Sequence, residues 1–258
     1  MHLVALKIAY RGQGYHGFQR QPGLPTVEDD LLEVLASSGC LDLGNLSEYM
    51  YSAAGRTDKG AHALGQTISL ITNCSPTYMT SIINETLNPR IAAWAYRLDP
   101  HGEFKAREWC LARLYVYLLP SPPSGNAGKK LKRFLGYRDY SWLTPLESGR
   151  NPRRLVYYAS ILEITGSYLV LIAGESFLKQ QVRRMVSYAL GLCRSKEQCR
   201  PLPPGNLVLL DARYSFSFSV LEGAFKMLEK LAAGIRVLEL SLGLLRSIAG
   251  HPSYLPCY

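Results

Sequence analysis

One short segment of the sequence combines residue types that support nucleophilic or acid–base chemistry. Residues 55–62 read Gly-Arg-Thr-Asp-Lys-Gly-Ala-His, so two glycines bracket a charged centre. Asp58 supplies a carboxylate, which is ordinarily ionised at neutral pH, and Arg56 and His62 add a cation and an imidazole close by. A carboxylate in such a turn acts either as a nucleophile or base, or only as a hydrogen-bond acceptor for its own backbone.

The elements around this segment favour the chemical role. The segment 61–70 that follows is apolar enough to be a buried strand, so the turn lies at the edge of a covered sheet. The first hundred residues read as strand, helix, strand, helix, strand, with strands at 2–10, 61–70 and 91–97. Thr26 and Ser75 are the expected N-caps of the two helices.

The middle of the chain contains a second set of chemically capable residues. Residues 111–118 alternate strictly, and one face of this strand carries Arg113, Tyr115 and Tyr117. Such a face stacks on a base, forms a dimer contact or builds an aromatic core layer. A hairpin is expected across residues 155–173, with its turn at 166–167. The helix opened by segment 174–186 places Lys179 and Arg183 one turn apart.

The C-terminal part predicts helices. Apolar residues recur every seven positions between 221 and 249, which indicates one long amphipathic helix, or two helices separated near Gly234 or Gly243. Its apolar face packs on the body of the protein or on a partner.

Composition narrows the class of protein. Of the 258 residues, 47% are apolar and 19% are charged, and the net charge of +9 favours a polyanionic partner such as nucleic acid. The six cysteines form no Cys-x-x-Cys pair. We therefore expect scattered thiols in a reducing compartment, without a metal site or a cofactor. No apolar run reaches 18 residues, which predicts neither a signal peptide nor a membrane span and favours a cytoplasmic protein.

The central segment carries a family resemblance. Arg56-Thr57-Asp58-x-Gly60-x-His62-Ala63 resembles the signature of the tRNA pseudouridine synthase A family, whose Asp is the essential catalytic residue. The segment 10–21 is similar to that family's Tyr-Asp-Gly…Gly-Trp-Gln-Arg-Gln, with Arg11 in place of the acidic residue and Phe18 in place of Trp. The stretches 106–117, 131–142 and 174–186 resemble further landmarks in the same order.

The resemblance implies a role for each matching residue. Asp58 is the catalytic residue, Arg183 pairs with it, and Tyr115 stacks on the target uracil. Arg56 or His62 is expected to occupy the space that the extruded base leaves. Further contacts with RNA are expected from Arg20, His62 and Lys179, and from two basic clusters, Lys129, Lys130, Lys132 and Arg133 with Arg150, Arg153 and Arg154.

The resemblance also implies a fold and an activity. The fold is α+β: two α/β halves, residues 1–100 and 101–214, share a large, mainly antiparallel sheet flanked by helices. Residues 215–258 form a helical extension similar to that of archaeal-type members. The expected protein is a homodimer that binds tRNA and isomerises uridines to pseudouridine at tRNA positions 38–40 in the anticodon arm.

Two other functions remain open from the residues alone. A non-catalytic RNA-binding protein on the same scaffold would use Asp58 only to cap its turn. A basic oligomeric scaffold would assemble through the C-terminal helix. Salt-dependent RNA binding without product indicates the first, and an absence of RNA binding indicates the second.

Overall fold

The computed structural model describes residues 1–99, 102–145, 149, 151–193 and 199–249, with backbone alone at 248 and 249. Arg150 of the second basic cluster and residues 250–258 of the C-terminal extension lie outside the described residues. So do residues 100 and 101, where the two halves are predicted to meet, and that boundary stays a prediction.

The described residues form a mixed α+β fold with ten strands and six α-helices. The strands are β1 (His2–Tyr10), β2 (Ser52–Ala53), β3 (His62–Thr72), β4 (Ile91–Asp99), β5 (Ala112–Leu118), β6 (Gly136–Asp139), β7 (Arg153–Ile164), β8 (Ser167–Gly174), β9 (Leu207–Arg213) and β10 (Ser219–Val220). The helices are α1 (Val27–Ser37), α2 (Pro76–Leu87), α3 (Ala127–Lys132), α4 (Gln181–Ala189), α5 (Ala224–Ala232) and α6 (Arg236–Ala249). Short 3-10 helices span Leu43–Tyr49 and Pro204–Asn206.

Local sequence signals begin the first two α-helices. The Thr26 hydroxyl accepts a hydrogen bond from the backbone N–H of Asp29 at 3.2 Å, and the Ser75 hydroxyl accepts one from Tyr78 at 3.2 Å. Each cap satisfies a backbone donor that the first helical turn leaves unpaired. Both predicted caps are therefore confirmed. Within the described residues, none of the helices combines the length and the apolar character that crossing a membrane requires.

All described strands belong to one sheet. Its order is β10-β4-β1-β3-β9-β5-β8-β7-β6, with β2 paired to β3. Among the described strands only β3 and β9 run parallel, with His62 beside Val208 and Ala63 beside Leu209. This pair joins the group β10, β4, β1 and β3 to the group β9, β5, β8, β7 and β6. The predicted large, mainly antiparallel sheet is confirmed.

The two faces of the sheet carry different helices. Alternate residues of a strand point to opposite faces, so Leu209 packs in the cluster that contains α1–α4, and Leu210 packs in the cluster that contains α5 and α6. We call these the front and back faces. The C-terminal repeat forms two helices separated at Gly234, which has a φ of +76°. Their buried leucines pack on the back face of the same chain.

Arg11, which stands where the family resembled by the sequence has an acidic residue, is tied to this back-face layer. Its Nε donates to the carbonyl of Leu231 at 2.6 Å, and its Nη2 donates to those of Lys230 and Ala233 at 3.1 and 3.0 Å. These carbonyls end α5, where a cation is favourable because the helix dipole is negative. The replacement is thus explained by the helical extension.

The cysteines depart from the expectation. Cys40 is bonded to Cys74, and Cys193 to Cys199, so scattered thiols are wrong for these four residues. Cys40 follows α1 and Cys74 precedes α2, and these helices pack side by side, which the separation of 34 residues in sequence conceals. Cys110 stays a buried free thiol, and burial raises its pKa.

We predict that the double change Cys40→Ser/Cys74→Ser lowers the free energy of unfolding by about 4 kcal/mol, because it opens a loop of 34 residues. The matched control, Cys193→Ser/Cys199→Ser, opens a loop of 6 residues and is expected to cost about 2 kcal/mol. Urea unfolding without reductant measures both. An unchanged midpoint for the first variant contradicts the prediction.

Candidate active site

Asp58 lies in the turn that connects β2 to β3. Its backbone oxygen accepts a hydrogen bond from Ala61 N at 3.0 Å, and Gly60 adopts a φ of +78° that favours glycine. The carboxylate side chain is 22% exposed. It is therefore held close to the protein while remaining open to a ligand.

The glycine-rich loop after β1 packs against this turn. Gly17 has a φ of +104°, and a Cβ there would lie 2.8 Å from the backbone oxygen of Thr57. That same oxygen accepts a hydrogen bond from Phe18 N at 3.2 Å. A Cβ on Gly12 would lie only 2.1 Å from the oxygen of Ala61. The glycines thus let two backbones approach closely, which is why this loop supports the turn.

Side chains of strands β1 and β3 hold the turn in place through hydrogen bonds. The Tyr10 hydroxyl of β1 lies 2.8 Å from the Thr57 hydroxyl, and Gln66 of β3 donates to the carbonyl of Gly55 at 2.7 Å. Tyr10 is fully buried. Both contacts come from the sheet, so the position of the carboxylate is set by the core.

Arg113 of β5 belongs to the strand face that the alternating pattern predicts, and the structure makes it a positioning residue. It is 8% exposed, and its Nε and Nη2 donate to the carbonyl of Ala54 at 2.8 and 2.5 Å. The same guanidinium donates to the carbonyls of Arg107 and Glu175. It therefore ties the backbone just before the Asp58 turn to strand β5 and to the residue that follows β8.

Arg183 reaches Asp58 from the front-face helix α4. Its Nε and Nη2 donate to the same carboxylate oxygen, Oδ2, at 3.0 and 2.8 Å, and its Nη1 donates to the carbonyl of Leu202 at 2.7 Å. The Arg183 side chain is only 7% exposed. Charge-assisted hydrogen bonds of this kind are short and strong. Oδ1 accepts no hydrogen bond within the described residues and stays available.

The start of α4 differs from the prediction. Strand β8 continues to Gly174, and the helix begins only at Gln181, after Gln180 adopts a left-handed conformation with a φ of +60°. Residues 175–180, between β8 and α4, form one edge of the site that contains Asp58. A helix read from residue 174 is wrong because the strand pairing of β8 with β5 and β7 continues to that point.

Tyr115 of β5 lies beside the pair. Burial raises its pKa, and the nearby Asp58 carboxylate raises it further against the lowering effect of Arg113. The ring meets Phe177 edge to face, with 5.4 Å between the ring centroids. Tyr115 is therefore a neutral aromatic group, fixed next to the carboxylate.

These groups line one open cavity of about 1020 Å³. This volume is at the upper end of the range for ligand sites, about 300–1,000 Å³. Its wall includes Arg56, Asp58, Tyr115, Phe177, Lys179 and Arg183. Arg56 and Lys179 are exposed at its mouth, so the structure places five of the predicted residues around one space.

Two predicted RNA contacts do not line this cavity. Arg20 is exposed beside it, where its Nε pairs with Asp29 at 3.2 Å. His62 is 1% exposed, and its Nδ1 accepts a hydrogen bond from Gly12 N at 3.0 Å. This burial contradicts the predicted contact between His62 and RNA. The imidazole instead supports the glycine loop, and burial lowers its pKa to about 4.

Among the described residues, no group of three or more His, Cys, Asp or Glu side chains is arranged to hold a metal ion.

The amino-acid sequence is similar to those of several archaeal proteins over most of its length. It is 36% identical to tRNA pseudouridine synthase A of Methanothermobacter thermautotrophicus, over 88% of this chain and 87% of the relative. It is 32% identical to that of Pyrococcus furiosus, over 88% and 90%. The chain belongs to the tRNA pseudouridine synthase A family. The family model described as tRNA pseudouridine synthase matches residues 131–203, which include Arg183 of the pair.

A solved Cbf5–Nop10–Gar1 complex contains a chain with a TM-score of 0.38 and 16% identity, over 73% of this chain and 48% of that chain. The similarity to tRNA pseudouridine synthase A confirms the family that the motif at residues 56–63 indicates. The family-model match begins at residue 131 and does not include Asp58.

The buried His62 generates a pH prediction. Its pKa is about 4 in the folded chain and about 6.5 unfolded, so the unfolded state binds more protons between these values and stability falls as the pH falls. We expect a loss of about 2 kcal/mol between pH 7 and pH 5. Urea unfolding at both values measures it.

The matched control is His62→Asn, which keeps an acceptor for Gly12 N but does not titrate in this range. The loss between pH 7 and pH 5 is expected to be about 2 kcal/mol smaller in this variant. Equal losses in the two proteins show that His62 does not cause the pH dependence.

Proposed function

We propose that this protein converts uridine to pseudouridine in the anticodon arm of tRNA, with Asp58 as the catalytic residue. The observation that carries the proposal is the carboxylate in an open cavity, with both N–H contacts from Arg183 on Oδ2 and none on Oδ1. Arg183 orients the carboxylate and leaves one oxygen for the substrate.

The reaction is an isomerisation that one carboxylate can serve. The bond between N1 and C1′ of the uridine breaks, the base turns, and C5 bonds to C1′. C5 loses its proton and N1 gains one, so no atom and no electron is gained overall. Asp58 acts by attack on C1′ or on C6, or by removal of a proton from C2′. Each alternative needs a free carboxylate oxygen close to the ribose and the base.

The target uridine has to leave its stack to reach this oxygen. Extrusion of a base costs about a few kcal/mol. Tyr115 lies beside Asp58 with its ring fixed by Phe177, which suits stacking on the uracil. Arg56, exposed at the mouth of the cavity, is placed to fill the space that the base leaves.

Basic groups at the mouth would hold the RNA backbone. Lys179 and Arg56 are exposed there, Arg20 lies beside the cavity, and the net charge of the chain is +9. Phosphate contacts of this kind supply affinity that falls with salt. His62 has a positioning role in this proposal.

The oligomeric state and the cellular compartment are further parts of the proposal. We propose that the protein acts as a homodimer that holds one tRNA across both subunits, and that it works in the cytoplasm. Sedimentation of the protein with and without tRNA tests the first of these statements.

The decisive variant is Asp58→Asn, assayed by tritium release from tRNA labelled at C5 of uridine. This proton leaves only when C5 bonds to the ribose. We expect release by the wild type and no detectable release by the variant, with tRNA affinity within about threefold, because Asn keeps the shape and loses the charge.

The matched control is Asp42→Asn. Asp42 also sits before a turn, where its side chain accepts hydrogen bonds from Gly44 N at 2.9 Å and from Asn45 at 2.8 Å. Its replacement should leave release unchanged. Turnover by Asp58→Asn would overturn the catalytic assignment. Binding without release by the wild type, on several tRNAs, would instead support a non-catalytic RNA-binding protein.

A further inference from the structure

A second cavity, of about 590 Å³, lies at the other end of α4 and beside the edge strand β6. Phe134 and Tyr140 form its buried floor, with 2% and 1% exposure. Tyr137 and Trp142 are 58% and 41% exposed at its rim. None of these residues belongs to the active site described above. We call this space the aromatic cavity.

The rings of the aromatic cavity are held in a fixed arrangement. Trp142 lies parallel to Phe134, with 5° between the ring planes and 6.1 Å between the centroids. Tyr188 of α4 meets Trp142 edge to face at 5.2 Å. These separations are typical of favourable aromatic pairs. Contacts with Phe134 and Tyr188 therefore hold Trp142 in place, while 41% of its surface is exposed to solvent. A ring that stacks on a base needs both properties.

The charges around the aromatic cavity are mostly positive. Arg133, Arg138 and Arg153 line it together with one carboxylate, Asp139, and three cations minus one anion leave +2. Arg153 is exposed, and its charge acts on Asp139, which faces it across the β6–β7 pair. Helix α3 adds lysines at 129, 130 and 132. An anionic ligand is therefore favoured over an apolar segment of protein.

The aromatic cavity is close enough to the active site for one ligand to reach both. Helix α4 has nine residues, which gives a length of about 13 Å, with Arg183 near one end and Tyr188 near the other. The loop that carries Trp142 is joined to residues 175–180, at the edge of the cavity around Asp58. In this contact the Thr144 hydroxyl donates to the carbonyl of Lys179 at 2.9 Å. A single RNA chain can span this distance.

We propose that the aromatic cavity binds a second, unpaired nucleotide of the tRNA, distinct from the uridine that is isomerised. Its base stacks on Trp142, and its phosphates lie against Arg133, Arg138 and Arg153. Unpaired bases stack on aromatic rings in this way because every base has a flat apolar face. The inference rests on the tRNA substrate proposed above and adds a point of contact that sets affinity and register.

The test compares Trp142→Ala with Trp142→Phe and with Trp109→Ala. Trp109 is the matched control, because it is similarly exposed (45%) and lies outside both cavities. Titration of an unmodified tRNA transcript gives Kd, and tritium release gives kcat and KM. We expect Trp142→Ala to raise Kd and KM by about 5- to 150-fold, with kcat within about twofold.

The controls separate stacking from a loss of folding. Trp142→Phe keeps a ring and should stay within about threefold of the wild-type Kd, and Trp109→Ala should match the wild type. Arg153→Gln, at an exposed position, should lower the slope of log K against log salt by about 1. A wild-type Kd for Trp142→Ala, or an unchanged salt slope for Arg153→Gln, overturns the proposal.

Failure of this inference is distinguishable from failure of the proposed function. If tRNA binding depends on Trp142 while tritium release is absent, the aromatic cavity stands and the isomerase assignment fails. If release is seen and Trp142→Ala binds as the wild type does, only the cavity proposal fails. Sedimentation of the wild type and of Trp142→Ala adds a third outcome. If the variant converts a dimer into a monomer, this surface is a contact between two copies of the chain, and the nucleotide proposal fails.

Discussion

The geometry of the site depends on one ion pair, between Asp58 in the turn before β3 and Arg183 on α4, 125 residues later. A guanidinium that is 7% exposed is costly unless a partner neutralises it and its donors are satisfied. Asp58 and the carbonyl of Leu202 meet both needs. Around them, the buried contacts of Tyr10 and Arg113 hold the turn in place. The pair therefore forms only when the turn before β3 and helix α4 are brought together correctly.

The two faces of the sheet differ in what they carry: helices cover the back face, and the two cavities lie at the front face. The back face is closed by α5 and α6, and Arg11 links the loop after β1 to the end of α5. The front face carries α4, whose two ends reach the cavity around Asp58 and the aromatic cavity. Because the loop after β1 contacts the Asp58 turn through Gly17 and the end of α5 through Arg11, packing of the C-terminal helices supports the position of Asp58.

Much of this arrangement follows from the sequence. Strand alternation and helix caps are local signals, and the motif around Asp58 marks the turn that we propose to be reactive. The seven-residue repeat leaves open one long helix or a break near Gly234 or Gly243, and the structure has the break at Gly234. Long-range features were not accessible in the same way. Nothing in the spacing of Cys40 and Cys74 shows that α1 and α2 bring them together. The burial of His62 and Arg113 follows from how β3, β9 and β5 lie side by side, and an alternating pattern does not reveal strand order.

The most direct measurement is the single-turnover rate of tritium release by Arg183→Met and Arg183→Lys, with tRNA affinity measured on the same samples. We predict that the rate falls by about 100-fold or more for Met, because the carboxylate loses both hydrogen bonds that orient it, and less for Lys, which keeps one charge-assisted contact. The Kd for tRNA should change by less than about fivefold. Equal losses of rate and affinity would contradict a reaction centre built on Asp58 and Arg183 and would make Arg183 a phosphate contact.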